Sequence, residues 1–153
     1  MPHFGYSVTG LDPTKTAYAS GRNLMVSPKA AREVCNAIKE MKLSAAMDFL
    51  KEVMEKRAPV PYKRYNKKMP HRRGLQGWAA GRYPVKAAEL ILKVLENADS
   101  NAMQKNLDAE RLRIVHASTV RGMKMKKYIQ RAFGRSSPRF EQMCHVEIIV
   151  GES

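Results

Sequence analysis

The sequence is poor in cysteine, in acidic residues and in long apolar runs, and each shortage excludes a class of protein. Its two cysteines, Cys35 and Cys144, stand far apart in the chain, which excludes a disulfide-dense secreted scaffold and a zinc module of the CxxC type. No apolar run approaches the roughly 20 residues of a transmembrane helix, and the first residues show no signal-peptide pattern. We therefore expect a soluble, intracellular protein.

Residue patterns that are typical of enzymes are missing as well. The phosphate-binding motifs GxGxxG and GxxxxGK[ST] and the nucleophile motif GxSxG do not occur, and the acidic residues are scattered. Four histidines, His3, His71, His116 and His145, are not paired with other ligands at metal-site spacings. The sequence therefore predicts a protein that is not an enzyme and that binds neither a metal nor a cofactor.

The excess positive charge is concentrated in two segments. The chain has 28 Lys and Arg against 14 Asp and Glu, a formal net charge of +14. The first basic window, residues 56–88, holds ten basic residues and no acid, and the second basic window, residues 111–140, holds nine basic residues and no acid. The rest of the chain carries more acids than bases. Because uncompensated like charges repel, this distribution predicts a polyanionic partner.

Apolar periodicity predicts three helices. After a short strand near 18–25, Ser27 and Pro28 are typical of an N-cap and a first helical position, and an apolar stripe continues to about residue 41. Ser44 indicates the start of a second helix that ends near Arg57. The third and longest apolar face follows Pro84 and continues to about residue 103.

Alternating residues predict a long β-hairpin over residues 111–150. On its first strand Leu112, Ile114, His116, Ser118 and Val120 would share one face, and residues 144–150 alternate in the same way. Residues 58–83 are rich in Gly and Pro, and we expect a basic, irregular insertion that becomes ordered with its partner. Three helices and alternating strands are typical of a single α+β domain over 1–153, with a protruding hairpin.

Five short segments occur in a distinctive order. They are Gly21-Arg22-Asn23-Leu24, Ser27-Pro28-Lys29, a helix that includes Lys86-Ala87-Ala88-Glu89 and ends around Asn97-Ala98-Asp99-Ser100-Asn101, Arg131-Ala132-Phe133-Gly134-Arg135, and His145-Val146-Glu147-Ile148. Together they closely resemble the large-subunit ribosomal protein twenty-two family, numbered seventeen in eukaryotes. The insertion resembles the archaeal and eukaryotic branch, and the short segment after the last strand favours an archaeal member.

This resemblance implies an α+β fold with three helices packed on a small antiparallel sheet and a long protruding β-hairpin. It also implies a structural constituent of the large ribosomal subunit in the cytoplasm, acting as a monomer within the ribosome. In the family the body lies at the exit of the nascent-peptide tunnel, and the hairpin passes inward through ribosomal RNA to line the tunnel. By motif, the tip would lie near 127–134 and the tunnel-facing residues would be Ile129, Gln130 and Arg131, although bacterial members often have a Met-Pro pair at the first two positions. The implied partners are ribosomal RNA, neighbouring ribosomal proteins and the nascent polypeptide.

The candidate RNA-binding residues are the Lys and Arg side chains of the two windows, which can neutralise phosphates. They are Lys63, Arg64, Lys67, Lys68, Arg72, Arg73, Arg82, Arg111, Arg121, Lys124, Lys126, Lys127, Arg131, Arg135 and Arg139. Tyr62, Tyr65 and Trp78 are candidates for stacking on unpaired bases, and they could equally cover the flank of the domain.

Charge alone leaves two other functions open. A DNA-binding or chromatin module would need a basic recognition helix, whereas the basic residues here fall mainly in the insertion and the hairpin. A membrane-surface protein would need a helix with a basic face opposite an aromatic face, and no segment has that pattern.

Overall fold

Three helices and a small antiparallel sheet form the body, so the predicted α+β class is confirmed. The structure, a computed structural model, describes residues 5–152, and the candidate His3 lies outside this range. The elements are β1 (Thr16–Leu24), α1 (Pro28–Ile38), α2 (Leu43–Met54), β2 (Val60–Pro61), β3 (Gly81–Arg82), α3 (Val85–Gln104), β4 (Leu112–Met125), β5 (Tyr128–Gln130), β6 (Ser136–Pro138) and β7 (Glu141–Glu152).

The main sheet has the order β1-β7-β4 with both neighbouring pairs antiparallel. The central strand β7 is the most apolar of the three, because Val146, Ile148, Ile149 and Val150 are fully buried. Strand β1 pairs with β7 from Thr16 opposite Gly151 onward, a longer strand than the sequence predicts. A strand covered on both faces is expected to be apolar at consecutive positions, as β7 is.

The helices cover the sheet with the apolar stripes that predicted them. Ile38 of α1, Leu50 of α2 and Ile91 and Leu95 of α3 are fully buried in one core. Pro28 occupies the first turn of α1 as expected, although the hydroxyl of Ser27 makes no capping bond. The second helix begins at Leu43 with Lys42 at the N-cap, so the predicted cap at Ser44 is wrong, and the helix ends at Met54.

A β-bulge corrects the predicted face of β4. The pairing of β4 with β7 shifts between Ile114 and His116, so Val115 is 49% exposed and the buried side resumes at Ala117. An extra residue in one strand reverses the alternation beyond it. His116, Ser118 and Val120 therefore do not share the buried face of Leu112 and Ile114, as uninterrupted alternation would require.

The two cysteine thiols are buried and free in this core. Burial raises the pKa of Cys35 to about 12, with the nearby Cys144 adding to the effect, and burial raises the pKa of Cys144 to about 11. Both groups therefore stay protonated at neutral pH, where a thiol is a poor nucleophile. The contribution that these shifts make to stability is present below about pH 9, the ordinary thiol pKa, and decreases as the pH rises toward the folded-state values.

We expect iodoacetamide at pH 8 to leave both thiols of the folded protein unmodified and to modify both after unfolding in guanidinium chloride. Mass spectrometry of the intact chain counts the modified thiols. Rapid modification of one thiol under native conditions would contradict its burial.

The glycine at position 21 allows β1 to approach α3 closely. A Cβ at this position would lie 2.8 Å from Cγ2 of Val94 and 2.9 Å from Cδ1 of Leu24. We expect Gly21→Ala to lower the free energy of unfolding by about 1–3 kcal/mol, the usual effect of overpacking. Urea unfolding measures this change. Gly5→Ala is the matched control, because a Cβ there meets nothing within 4 Å. Equal stability of the two variants would contradict the close approach.

Candidate nucleic-acid interface

The cations of the two basic windows lie on the surface. All fifteen Lys and Arg residues predicted to bind RNA have exposed side chains. Seven of them belong to the insertion around β2 and β3, and eight belong to the segment from the turn before β4 to the start of β7. Exposure makes these groups available to a polyanion, and their binding role stays a prediction.

Few of the window cations have carboxylate partners. Within residues 5–152, the ion pairs that include a window residue are Arg57–Glu55, Arg111–Asp108 and Lys127–Glu141. The other two pairs, Lys51–Asp48 and Lys93–Glu89, lie on α2 and α3 outside the windows. Most of the positive charge in the windows is therefore not compensated by carboxylates of the described chain.

A buried carboxylate on α1 holds the start of the insertion. Glu33 is 1% exposed, and its two oxygens accept hydrogen bonds from three consecutive backbone N–H groups. The bonds from Lys63, Arg64 and Tyr65 measure 3.1, 3.1 and 2.9 Å. A carboxylate that accepts several backbone N–H groups makes strong, charge-assisted bonds. Glu33 thus fixes the basic segment 63–65 against the body.

The insertion has more internal structure than the sequence predicts. Strands β2 and β3 pair antiparallel, and an isolated bridge joins His71 to Ala80. The backbone N–H of Arg72 donates to the carbonyl of Ala79 at 2.9 Å. These cross-connections close the segment on itself, while most of residues 58–83 lie in turns, bends and irregular segments.

The three aromatic stacking candidates differ in their surroundings. Tyr62 is only 4% exposed and belongs to the hydrophobic core, which favours the packing alternative for this residue. Trp78 is half-buried, and its indole N–H donates to the carbonyl of Tyr62 at 3.0 Å. Tyr65 is half-buried, with Nζ of Lys29 5.6 Å from its ring centroid. Of the three, Tyr65 lies directly among cations.

The second window forms the outer part of a two-stranded hairpin. Met125 of β4 pairs with Glu141 of β7, and beyond them Tyr128 of β5 pairs with Pro138 of β6. Lys127 bonds to Glu141 at 2.8 Å, and this bond lowers the pKa of the Glu141 carboxyl. Part of the charge of Lys127 is therefore compensated by this carboxylate.

Aromatic contacts join the two strands where the hairpin leaves the body. The rings of Tyr128 and Phe140 meet edge to face with centroids 5.9 Å apart. Nζ of Lys124 lies 4.5 Å from the centroid of Phe140. Such contacts between facing strands stabilise a hairpin that has no core of its own.

The tip of the hairpin is the turn from Arg131 to Arg135. The N–H of Arg131 donates to the carbonyl of Arg135 at 2.8 Å, and the two residues between Ala132 and Arg135 have positive φ, 58° at Phe133 and 65° at Gly134. Phe133 is 97% exposed, more than any other large apolar side chain of the described residues. Sequence reasoning missed Phe133, since an apolar residue inside a motif gives no sign of its exposure.

The predicted tunnel-facing residues lie beside this turn. Ile129 and Gln130 are exposed residues of β5, paired with Ser137 and Ser136, and Arg131 begins the turn itself. Nε of Arg131 lies 3.4 Å from the hydroxyl oxygen of Ser137. All three are therefore close to the tip, and which of them faces a tunnel stays a prediction.

One cluster contains the residue types of a hydrolase triad without its geometry. The hydroxyl of Ser7 lies 3.1 Å from Nε2 of His116 and donates to Glu147 at 2.8 Å. The backbone N–H of Ser7 also donates to Glu147, so the carboxylate binds the serine instead of orienting the imidazole. The cluster attaches the segment before β1 to the sheet. In the described part of the chain, no group of three or more His, Cys, Asp or Glu could hold a metal ion.

Comparison with known proteins identifies the family. A family model described as "Ribosomal protein L22p/L17e" matches residues 19–151. The chain belongs to this family. It is 50% identical to "Large ribosomal subunit protein uL22" of Methanocaldococcus jannaschii over 93% of this chain and 91% of that protein. It is 48% identical to the protein of the same name from Methanococcus vannielii and 46% identical to that of Aeropyrum pernix, over 99% of both chains in each case.

Membership of this family confirms the resemblance, and the relatives compared above are archaeal proteins. A member of the family is a structural component of the large ribosomal subunit in the cytoplasm, not an enzyme. Its partners inside the ribosome are ribosomal RNA and other ribosomal proteins. None of the helices in residues 5–152 combines the length and the apolar character that a membrane span requires.

Proposed function

We propose that this chain binds ribosomal RNA through its two basic windows and thereby stabilises the folded RNA of the large subunit. The observation that carries the proposal is the exposed, largely unpaired positive charge of the insertion and the hairpin. Lys and Arg release counterions when they neutralise phosphates, and the planar guanidinium fits phosphate oxygens. The remainder of the chain carries more acids than bases and serves as the folded support.

We further propose that the hairpin lines the tunnel through which the nascent polypeptide leaves the ribosome. Two paired strands are narrow enough to pass between RNA helices, where recognition depends on shape and backbone contacts. Residues 126–136 are exposed throughout, so the chain itself does not cover the tip. Ile129, Gln130 and Arg131 are the proposed contacts with the nascent polypeptide, and the protein acts as a monomer within the ribosome.

The placement of the cations disfavours a DNA-binding module. Among the basic residues of the two windows, only Lys86 lies in an α-helix, near the start of α3. A recognition helix for the major groove presents several basic and polar side chains along one helix. Structured ribosomal RNA should therefore displace duplex DNA from the protein in a competition experiment. A preference for duplex DNA would contradict RNA binding.

Sedimentation with large subunits tests the proposed function. We expect the full chain to remain with the large subunit through washes at moderate salt, because many phosphate contacts act together. Recovery of the protein in the free fraction under the same conditions would contradict the proposal. Outside the windows, α2 and α3 carry only Lys51 and Lys93, too few cations to give the same retention.

Shortening the hairpin should leave the body intact. The backbone N–H of Arg139 donates to the carbonyl of Lys127 at 2.6 Å, so these two positions can be joined by a two-residue Asn-Gly turn in place of residues 128–138. None of the removed residues is buried. We expect a melting temperature within about 3 °C of the parent chain, since surface changes alter stability little. Ribosomes with the shortened hairpin should differ in the passage of some nascent chains.

Thermal denaturation and translation of stalling-prone peptides are the two measurements for this variant. Global unfolding of the shortened chain would show that the tip contributes to the core. Unchanged passage of every peptide tested would contradict the contact between the tip and the nascent chain.

A further inference from the structure

A pocket lies between the first turn of α1 and the start of the insertion. Its volume is about 470 Å³, within the range of small-molecule sites. The walls come from the first turn of α1 on one side, from several residues between Tyr62 and Met69 on another, and from Arg82 of β3. The hydrogen bonds from residues 63–65 to Glu33 fix one of these walls. The shape of the pocket is therefore determined by buried contacts that exist without a ligand.

The pocket combines cationic and apolar groups. Four basic side chains line it: Lys29, Arg64, Lys67 and Arg82. No Asp or Glu belongs to the described lining, and the carboxylate of Glu33 nearby is already bonded to three backbone N–H groups. The apolar part of the lining includes the rings of Tyr62 and Tyr65 and the side chain of Met69. An anion and a flat apolar group could thus be bound side by side.

We propose that this pocket holds one unpaired nucleotide of the ribosomal RNA, with its base against Tyr65 and its phosphate among Lys29, Arg64 and Lys67. This inference rests on the proposed RNA binding and specifies the form of RNA that is bound at this place. A duplex cannot enter a pocket of this volume, whereas a single extruded nucleotide can. Proteins bind unpaired bases by stacking them on aromatic rings and by placing cations along the backbone.

The mixed lining distinguishes a nucleotide from simpler anions. A free phosphate would contact the four cations and would make no use of the exposed apolar surface of Tyr65 and Met69. An acidic peptide would use the same cations, and it is the alternative that the experiment must separate. Nζ of Lys29 and Cζ of Arg64 lie over the Tyr65 ring, 5.6 and 5.9 Å from its centroid. A base that stacks on this ring would move these two flexible side chains toward its phosphate.

Ultraviolet crosslinking of assembled large subunits tests the proposal. After nuclease digestion, mass spectrometry should find one nucleotide attached to the peptide that contains Tyr65, and that nucleotide should be unpaired in the RNA. In parallel, Tyr65→Ala should weaken binding of the full chain to large-subunit ribosomal RNA by roughly tenfold, the effect of losing one stacked base. Tyr65→Phe should retain the affinity, since it keeps the ring.

A charge-matched pair of variants separates the pocket from general electrostatics. Lys29→Gln in the pocket should weaken binding several-fold more than Lys93→Gln on α3, which removes the same charge outside both windows. Melting temperatures confirm that each variant is folded.

The possible results distinguish failure of the nucleotide-pocket proposal from failure of the proposed RNA binding. The pocket proposal would be overturned, with RNA binding unaffected, by any of three results: unchanged affinity of folded Tyr65→Ala, an adduct to a paired nucleotide, or a crosslink from Tyr65 to another protein. Loss of retention of the parent chain on large subunits would overturn RNA binding itself.

Discussion

Raising the salt concentration from 50 to 200 mM should weaken binding of the protein to large-subunit ribosomal RNA by about a thousandfold or more. A protein that neutralises about six to ten phosphates loses roughly 10³ to 10⁵ in affinity over this range. Fifteen exposed cations in two windows are enough to neutralise at least this number of phosphates. Filter binding or fluorescence anisotropy at several salt concentrations measures the slope of log affinity against log salt.

The location of the charge can be tested separately from its amount. Replacing Arg121, Lys124, Lys126 and Arg131 of the hairpin with Gln should reduce the slope by about 0.9 for each phosphate that is no longer neutralised, or about 0.7 where the RNA is single-stranded. The control carries Gln at Lys39, Lys42, Lys51 and Lys93, four exposed positions outside both windows. The two variants have the same net charge. Equal slopes for the two variants would mean that binding follows net charge, and the assignment of binding to the windows would be wrong.

The parts of the fold that depend on local patterns were predictable from the sequence. The stripes that contain Ile38, Leu50 and Leu95 repeat at helical spacing, and each lies in a helix that buries it. The alternation over residues 144–150 likewise corresponds to β7. These patterns are local consequences of backbone geometry, so they can be recognised without knowing which elements pack together.

The parts that depend on distant contacts could not be predicted. The bulge near Val115 is set by pairing with β7, and nothing in the neighbouring residues marks it. Glu33 is a charged residue in an apolar stretch of α1, and its role becomes clear only when three N–H groups 30 or more positions away are found on it. The burial of Tyr62 follows from the same arrangement, because the segment beside Glu33 brings its ring into the core.

The charge of the candidate site was predicted more fully than its shape. The exposure of all fifteen cations agrees with the sequence, since an ionised side chain is rarely buried without a partner. The pocket beside Tyr65 was not predictable, because it brings together residue 29 of α1 and residue 82 of β3, which only the folded insertion places near each other. The exposure of Phe133 likewise depends on the turn at the tip.

Glu33 is the residue whose loss should most strongly uncouple the insertion from the body. Glu33→Ala removes the acceptor of three hydrogen bonds and leaves a cavity beside the core. Hydrogen bonds to charged groups contribute about 1.5–3 kcal/mol each, but in the variant water can bind the freed N–H groups once the segment separates from α1, so we expect a loss of about 3 kcal/mol in the free energy of unfolding. For a chain of this length that corresponds to a fall of about 10 °C in melting temperature. Glu33→Gln, which keeps one acceptor oxygen, should lose about half as much.

Limited trypsin digestion distinguishes a detached insertion from general destabilisation. In Glu33→Ala the bonds at 63, 64, 67 and 68 should be cut faster than in the parent chain at temperatures well below melting, because the segment is no longer fixed to α1. Glu52→Gln on α2 is the control for charge, since that side chain is exposed. If Glu33→Ala melted 10 °C lower yet gained no cleavage in the insertion, the carboxylate would serve the core alone. The pocket beside Tyr65 would then keep its shape without it, and the affinity for ribosomal RNA would be unchanged.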